Sequence, residues 1–323
     1  MGNGSFLGTL QASAFAYSPI LSYHASGPLN HATQGARNAV TDTNVRNAVL
    51  RIKDLPTLPS VLGKILSTAA DPDSSALDLG QHIAADQSLS ATLLKLVNSA
   101  YYGFYRQISS VTQAIVMLGF LEVRNLTLTA TAFRTLSKSS SDYDRTQLWR
   151  HSLATAMAAE RLAKLGKIEK EGTFEAGLLH DFGKVALDML YPEAFRDAAK
   201  TAHSRGCYMH EAEQELFGLD HAEIGGLLGE HWNLPEPVVE AVRFHHEPGR
   251  AEMAPILTHL VHIANYVAYQ ADLGELSSGR APELSDGILA SAGVTEAQVQ
   301  AAIDELQDSH EKIDEFLGTL KSG

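Results

Sequence analysis

Six side chains, far apart in the sequence, have the chemistry to hold metal ions: His151, the adjacent His180 and Asp181, His221, and the adjacent His245 and His246. Imidazole nitrogens and a carboxylate are what a borderline divalent ion such as iron, manganese or zinc accepts, and the helices of a bundle can aim such groups at one point. Six groups suffice for two ions. A carboxylate between two imidazole sets has two oxygens, so Asp181 can bridge, and each ion would keep open positions for water or a phosphate oxygen. Lys184 lies three residues after Asp181, on the same face if a helix runs through both. The competing reading is plainer: a relict set of histidines bonded to each other or to water, and a solvated lysine at a helix end.

The segments that would position these groups read as helices. Residues 1–44 are rich in Gly, Ser, Asn, Ala and Thr with no sustained apolar period and are expected to form a poorly ordered leader. Leu55-Pro56-Thr57-Leu58-Pro59 is a proline-stiffened lead-in to a helix whose Val61, Leu62, Ile65, Leu66 and Ala69 share one face, and Asp71-Pro72-Asp73 stops it. Ser75 with Asp78, and Ser110 with Gln113, have capping-box spacing, and Asp86 can cap a helix bearing Leu89, Leu93, Leu94 and Val97. Gly119 suits a helix stop, and the next helix is expected over about Leu121 to Leu136. The polar run 137–144 reads as a linker, followed by helices from Gln147 to about Asp272. Past a Gly/Ser/Pro-rich segment, Thr295 with Gln298 caps a final helix, placed at 287–320. Its Val299, Ile303, Leu306, Ile313, Leu317 and Leu320 form a heptad stripe interrupted by His310. That stripe fits packing on its own lobe or the seam of a homodimer. With no alternating strand pattern, the expected fold is all-α and two-lobed, an N-terminal helical lobe at 45–140 preceding a metal-binding lobe at 145–272.

GLLHDFGK at 177–184, with WRHS upstream, DHAEIGGLL midway and FHHE downstream, resembles the signature of the HD phosphohydrolase superfamily. The LPTLP segment, AADQSLSATLLKLVNSAYYG and ISSVTQAIVMLGFLEVRNLTL closely resemble the HD-related output domain (HDOD) family of bacterial signalling proteins, over about residues 50–270. The resemblance implies one HDOD domain at 45–272, its second lobe HD-like, in a family that generally lacks a demonstrated enzymatic activity. His151 then matches the first metal ligand, His180 and Asp181 the doublet, His221 the third histidine, and His245 and His246 the paired histidines of the two-metal branch. Asn265 stands where the superfamily places a final aspartate; an amide oxygen can bind a metal but adds no charge, which loosens the site. Gln147 replaces the glutamate of three-metal variants, so two divalent ions are the ceiling, with iron or manganese preferred over zinc or magnesium. Lys184 would face the phosphate and stabilise charge developing on it. No Gly-Tyr-Pro motif follows His246-Glu247, which disfavours cyclic di-GMP as a substrate. Of the remaining histidines, His259 and His262 lie on the helical face near Asn265, where one could stand in as a ligand, but core or surface placement is the preferred reading; His203, His210 and His231 match no motif position, and His24, His31, His82 and His310 are background.

Composition narrows the function. With 323 residues, 45% of them hydrophobic, the chain can fill one large or two medium cores. Its 25 Lys and Arg against 38 Asp and Glu give a net charge of −13, which repels polyanions and argues against nucleic-acid or anionic-membrane partners. The helices expected between Ala76 and Asn98 have helix-turn-helix spacing, but Lys95 alone offers a phosphate contact there. Tyr101, Tyr102, Phe104, Tyr105 and Arg106 could stack on a base; packing between the lobes, with hydroxyls partnered at the boundary, is the preferred reading. Apolar runs are too short to span a bilayer, and the lone Cys207 and the lack of a secretion pattern point to the cytoplasm. Two functions fit. One is a signalling module that binds another signalling protein or a small phosphorylated ligand and carries a structural or regulatory metal pair. The other is a metal-dependent phosphohydrolase or phosphodiesterase acting on a nucleotide or other phosphoester.

Overall fold

The computed structural model describes residues 45–48, 63, 76–99, 101–137, 145–168, 171–274 and 280–321, all within the contact unit 40–323. Among them the regular structure is helical throughout, with no strand. In chain order the helices are α1 (Ala76–Ala84), α2 (Gln87–Val97), α3 (Val111–Leu118), α4 (Phe120–Leu136), α5 (Arg145–Gly166), α6 (Thr173–Leu179), α7 (Gly183–Leu190) and α8 (Pro192–Arg205). They continue as α9 (Met209–Phe217), α10 (His221–His231), α11 (Glu236–Phe244), α12 (Pro255–Gln270), α13 (Asp286–Ala292), α14 (Glu296–Gln307) and α15 (His310–Lys321). The helix expected around Val61–Ala69, its stop at Asp71-Pro72-Asp73, the Ser75 cap, the leader and most of the 137–144 linker lie outside the described residues.

Local chemistry sets the helix starts. The Asp86 carboxylate accepts the Leu89 N–H at 2.9 Å and caps α2, which buries Leu89, Leu93, Leu96 and Val97. Ser110 Oγ accepts the Gln113 N–H at 3.1 Å, while the Gln113 side chain reaches back to the Ser109 N–H rather than that of Ser110. Gly119, at φ 91°, ends α3 and opens α4. Within α4 the run Leu-Thr-Leu-Thr-Ala-Thr-Ala does alternate with period two, contrary to the expectation of no such pattern, yet each threonine is helical. Thr127, Thr129, Thr131 and Thr135 each donate a hydroxyl to the carbonyl four residues back, at 2.6–2.9 Å, which satisfies these hydroxyls inside the helix. The Tyr102 hydroxyl bonds Glu122 Oε1 at 2.5 Å and Tyr101 packs edge-on against Phe316.

α5 is the axis of the metal-site region, packing on α6, α12 and α14. Its first residue, Arg145, is buried with Asp188 of α7, Nη2 to Oδ2 at 2.6 Å, and donates to the Leu136 carbonyl at 2.7 Å. α6 is buried along its whole length, because Gly177 rests on the backbone of Ala156 in α5 and leaves no room for a Cβ.

The single C-terminal helix expected at 287–320 is instead three helices, α13 to α15. The Thr295 capping box forms as expected and starts α14. α14 closes at Asp308, and Ser309 accepts the first bond of α15 from the Ile313 N–H. The heptad count cannot see the break, since the turn preserves the buried face: Val299, Ile303, Leu306, Ile313, Leu317 and Leu320 are all buried within the chain. His310, at the interruption, sets a ring nitrogen 2.5 Å from the Ala271 carbonyl beyond α12.

Candidate metal centre

Four of the five candidate histidines are oriented by a backbone carbonyl or a carboxylate, and the fifth, His246, meets the His221 ring instead. His151 in α5 directs Nδ1 to the Leu273 carbonyl at 3.1 Å, His180 at the end of α6 to that of Gly177 at 2.8 Å, and His245 at the end of α11 to that of Val242 at 2.8 Å. His221 opens α10 and directs Nδ1 to Glu213 Oε2 at 2.5 Å, which also accepts the His221 backbone N–H. With Nδ1 engaged, Nε2 of each ring points inward, the orientation that outer partners impose on ligating imidazoles.

They point at Asp181. Oδ2 lies 2.8 Å from Lys184 Nζ, 3.3 Å from His180 Nε2 and 3.7 Å from His151 Nε2. Oδ1 lies 3.0 Å from His221 Nε2 and 3.7 Å from His245 Nε2. His246 places Nε2 2.9 Å from that of His221. Two ligand groups result, His151, His180 and Asp181 in one and His221, His245 and His246 in the other, each with its candidate atoms within 4.8 Å of one another. Asn265 lines the adjoining cavity of about 300 Å³ together with Asp181, Lys184, His221 and His246. All the residues singled out in the sequence thus meet in one region.

Charge and burial suit a cation. Burial would raise the Asp181 carboxyl, but the charges of His180, Lys184 and His221 hold it well below the usual carboxylate value. Burial also disfavours a charged His221; Glu213, and after it Asp181, outweigh that and raise it to about 10. Burial, reinforced by neighbouring imidazoles, pushes His245 and His246 well below the imidazole value, which leaves their lone pairs free to bind. Buried polar atoms are ordinarily satisfied, yet Nε2 of His180 and His245 and Oδ1 of Asn265 meet no hydrogen-bond partner. Orphaned lone pairs beside a carboxylate fit a divalent ion, so the donor set matches a metal pair.

Several outcomes were not legible from spacing. Lys184 is no solvated helix-end lysine: it is 3% exposed and ion-paired with Asp181. His210, which matches no motif, stacks on His246 at 4.1 Å and lines the cavity, and burial, followed by the His221 charge, lowers it to about 4. Glu213, with no exposure at all, orients His221 from across the turn between α9 and α10, a relation no periodicity announces. His262 sets its ring nitrogens near the carbonyls of His245 and Glu283, of which a neutral ring can donate to one, and it lines the cavity beside Asn265, whereas His259 bonds the Pro255 carbonyl. His203 and His231 are exposed. No described helix is long and apolar enough to cross a membrane.

Comparison with known proteins agrees with this geometry. A Treponema pallidum (strain Nichols) protein described as uncharacterized is 34% identical over 212 residues, 64% of this chain and 41% of that relative, so the chain spans about two fifths of the relative's length. The crystal structure of a Geobacter sulfurreducens HDOD domain protein of unknown function is 25% identical and superposes with a TM-score of 0.71, covering 85% of this chain and 99% of the other. A Marinobacter aquaeolei VT8 protein provisionally named for signal transduction shares the fold at 22% identity and a TM-score of 0.73, over 87% of this chain and 66% of that one. The HDOD domain model matches residues 55–248, which is more than half of the sequence. The chain therefore belongs to the HDOD domain family, with its HD-related, phosphohydrolase-like helical fold.

Proposed function

We propose that this protein is a signal-transduction module whose helical surface binds a partner and whose HD-like region carries a dinuclear metal centre in a structural or regulatory role. The observation that carries the reading is the division of Asp181: one carboxylate oxygen faces His151 and His180, the other His221 and His245. His151, His180 and Asp181 would hold one ion, and His221, His245 and His246 the other, with Asn265 in reserve. The all-nitrogen-and-oxygen set, without thiolate, favours iron or manganese. The names of solved relatives divide: one is provisionally named for signal transduction and one is left without a function, while a Shewanella amazonensis structure is provisionally named a phosphohydrolase, so the module reading rests on the site and its enzyme alternative stands beside it.

A phosphohydrolase reading rests on a specific observation as well. The cavity of about 300 Å³ opens onto Asp181 and Lys184 and is large enough for a small phosphoester. The chemistry such ions supply when bound is Lewis-acid activation of water and of a phosphoryl oxygen. Lys184 would pair with a phosphate oxygen in place of Asp181 Oδ2, and Glu213, by accepting the Nδ1 proton of His221, would keep Nε2 as the atom that meets an ion once the ion displaces its proton.

Metal analysis of the purified protein beside Asp181→Ala tests the centre: two ions per chain in the parent and loss of both in the variant are expected, and equal metal content would sink it. A panel of phosphomonoesters, nucleotides and cyclic dinucleotides then separates the two functions. A metal-loaded protein inert to the whole panel supports the module; chelator-sensitive turnover abolished in His245→Ala supports the enzyme.

A further inference from the structure

A second cavity, of about 580 Å³, lies between α6, α11 and the start of α12. Its walls are apolar, from Pro235, Val238, Met253, Ile256, Leu257 and Leu260, and none of the candidate metal ligands takes part. Two charged side chains on its wall, Arg124 from α4 and Glu175 from α6, are buried and paired at 3.2 Å through Glu175 Oε1. Arg124 also donates to Asn125 Oδ1. Glu175 Oε2 has no side-chain hydrogen-bond partner although the residue is only 3% exposed; burial raises its carboxyl above the usual value and the Arg124 charge opposes this, so holding it ionised calls for a further cation. An orphaned buried carboxylate oxygen is costly unless a donor or cation meets it. Glu171 stands exposed on the same lining, so two carboxylates face a single guanidinium.

Size, lining and charge together define an occupant. A cavity of this volume suits a small molecule, the apolar wall demands an apolar body, and the surplus negative charge selects a cationic head. We propose that this cavity binds a small amphiphilic cation, its hydrocarbon part against Val238, Leu257 and Leu260 and its ammonium or guanidinium group completing the neutralisation of Glu175 that Arg124 begins. The site is separate from the metal centre and stands whichever function that centre serves.

Three isosteric probes test it on the full chain: phenylbutylammonium, phenylbutanol and phenylbutyrate, titrated by calorimetry. Saturable one-site binding is expected for the ammonium, roughly tenfold weaker binding for the alcohol, and none for the carboxylate. Ile256 is 47% exposed and Glu171 is exposed, so Ile256→Arg and Glu171→Lys leave the core intact; circular dichroism verifies this, and each should weaken the ammonium roughly tenfold. Glu175→Gln should erase the preference of ammonium over alcohol. Absence of saturable ammonium binding, equal affinity for all three probes, or parental affinity in Ile256→Arg would overturn the assignment.

Discussion

Glu213 shows how little of a site need be visible in its ligands. Its Oε2 takes both the Nδ1 and the backbone N–H of His221, which fixes the ring's tautomer and its direction toward Asp181. Outer partners of this kind typically change metal affinity by about 10–100-fold when removed. Glu213→Gln is therefore expected to weaken the ion held by His221, His245 and His246 by about that factor while the ion at His151 and His180 stays, so calorimetric titration should resolve one weakened site and one intact site. Two unchanged sites would show that His221 is oriented without it. At this scale the candidate ligands could be picked out in the sequence, because His180-Asp181 and His245-His246 are adjacent pairs in recognisable surroundings, and the structure brings them together. His210 and Glu213 were not, since they reach the centre through ring stacking and a turn, and neither leaves a mark on spacing.

Helices, rather than single residues, bring the two halves of the centre together, and their closest approach is at glycine. A Cβ on Gly183 would collide with the His221 carbonyl, so α7 and α10 can touch only without a side chain there. Gly183→Ala should push apart the helices that carry Lys184 and His221, costing about 1–3 kcal/mol or more. Metal binding should fall with stability, which denaturant titration beside metal analysis would reveal; a variant of parental stability would mean the contact is slack. Elsewhere a single carboxylate organises a turn. Glu240 in α11 accepts the backbone N–H groups of Glu252, Met253 and Ala254; burial would raise its carboxyl, but together these bonds outweigh it and hold Glu240 below the usual 4.5. Its folded-state value is the lower one, so its contribution is present above 4.5 and is lost as pH falls through the depressed value. Glu240→Gln should remove that acid sensitivity at the turn, read by hydrogen exchange of residues 252–254 at neutral and acid pH; an identical pH response in both proteins would refute it. Capping at Asp86, Ser110 and Thr295 could be foreseen because it depends on three or four consecutive residues. The break at Ser309 could not, because two helices joined in phase bury the same stripe as one.

For the molecule as a whole, the family match ends at residue 248, but the helix carrying His151 is held from beyond it. Arg150 and Arg161 of α5 pair with Asp314 of α15 and Glu305 of α14 at 2.8 and 2.6 Å, and Lys321 donates to Thr146 at 2.8 Å. Exposed pairs of this sort contribute little singly. The buried stripe of α14 and α15 beneath them supplies the attachment, so α5 is held between the cluster of histidines around Asp181 and the C-terminal helices. A cation at the centre would tie α5, α6, α10 and α11 together, and none of those links survives unfolding. Binding to the folded state alone stabilises by about 2.7 kcal/mol per site at one hundred times Kd. With an unfolding entropy of about 2.1 cal/mol/K per residue, a chain of this size gains about 4 °C in Tm per site. Manganese or iron(II) added to chelator-treated protein should produce this rise, chelator should reverse it, and Asp181→Ala should abolish it. If the parent melts at one temperature with every divalent ion and with chelator, the six groups are a buried polar network of the apoprotein, and a metal role at this crossing of helices is excluded.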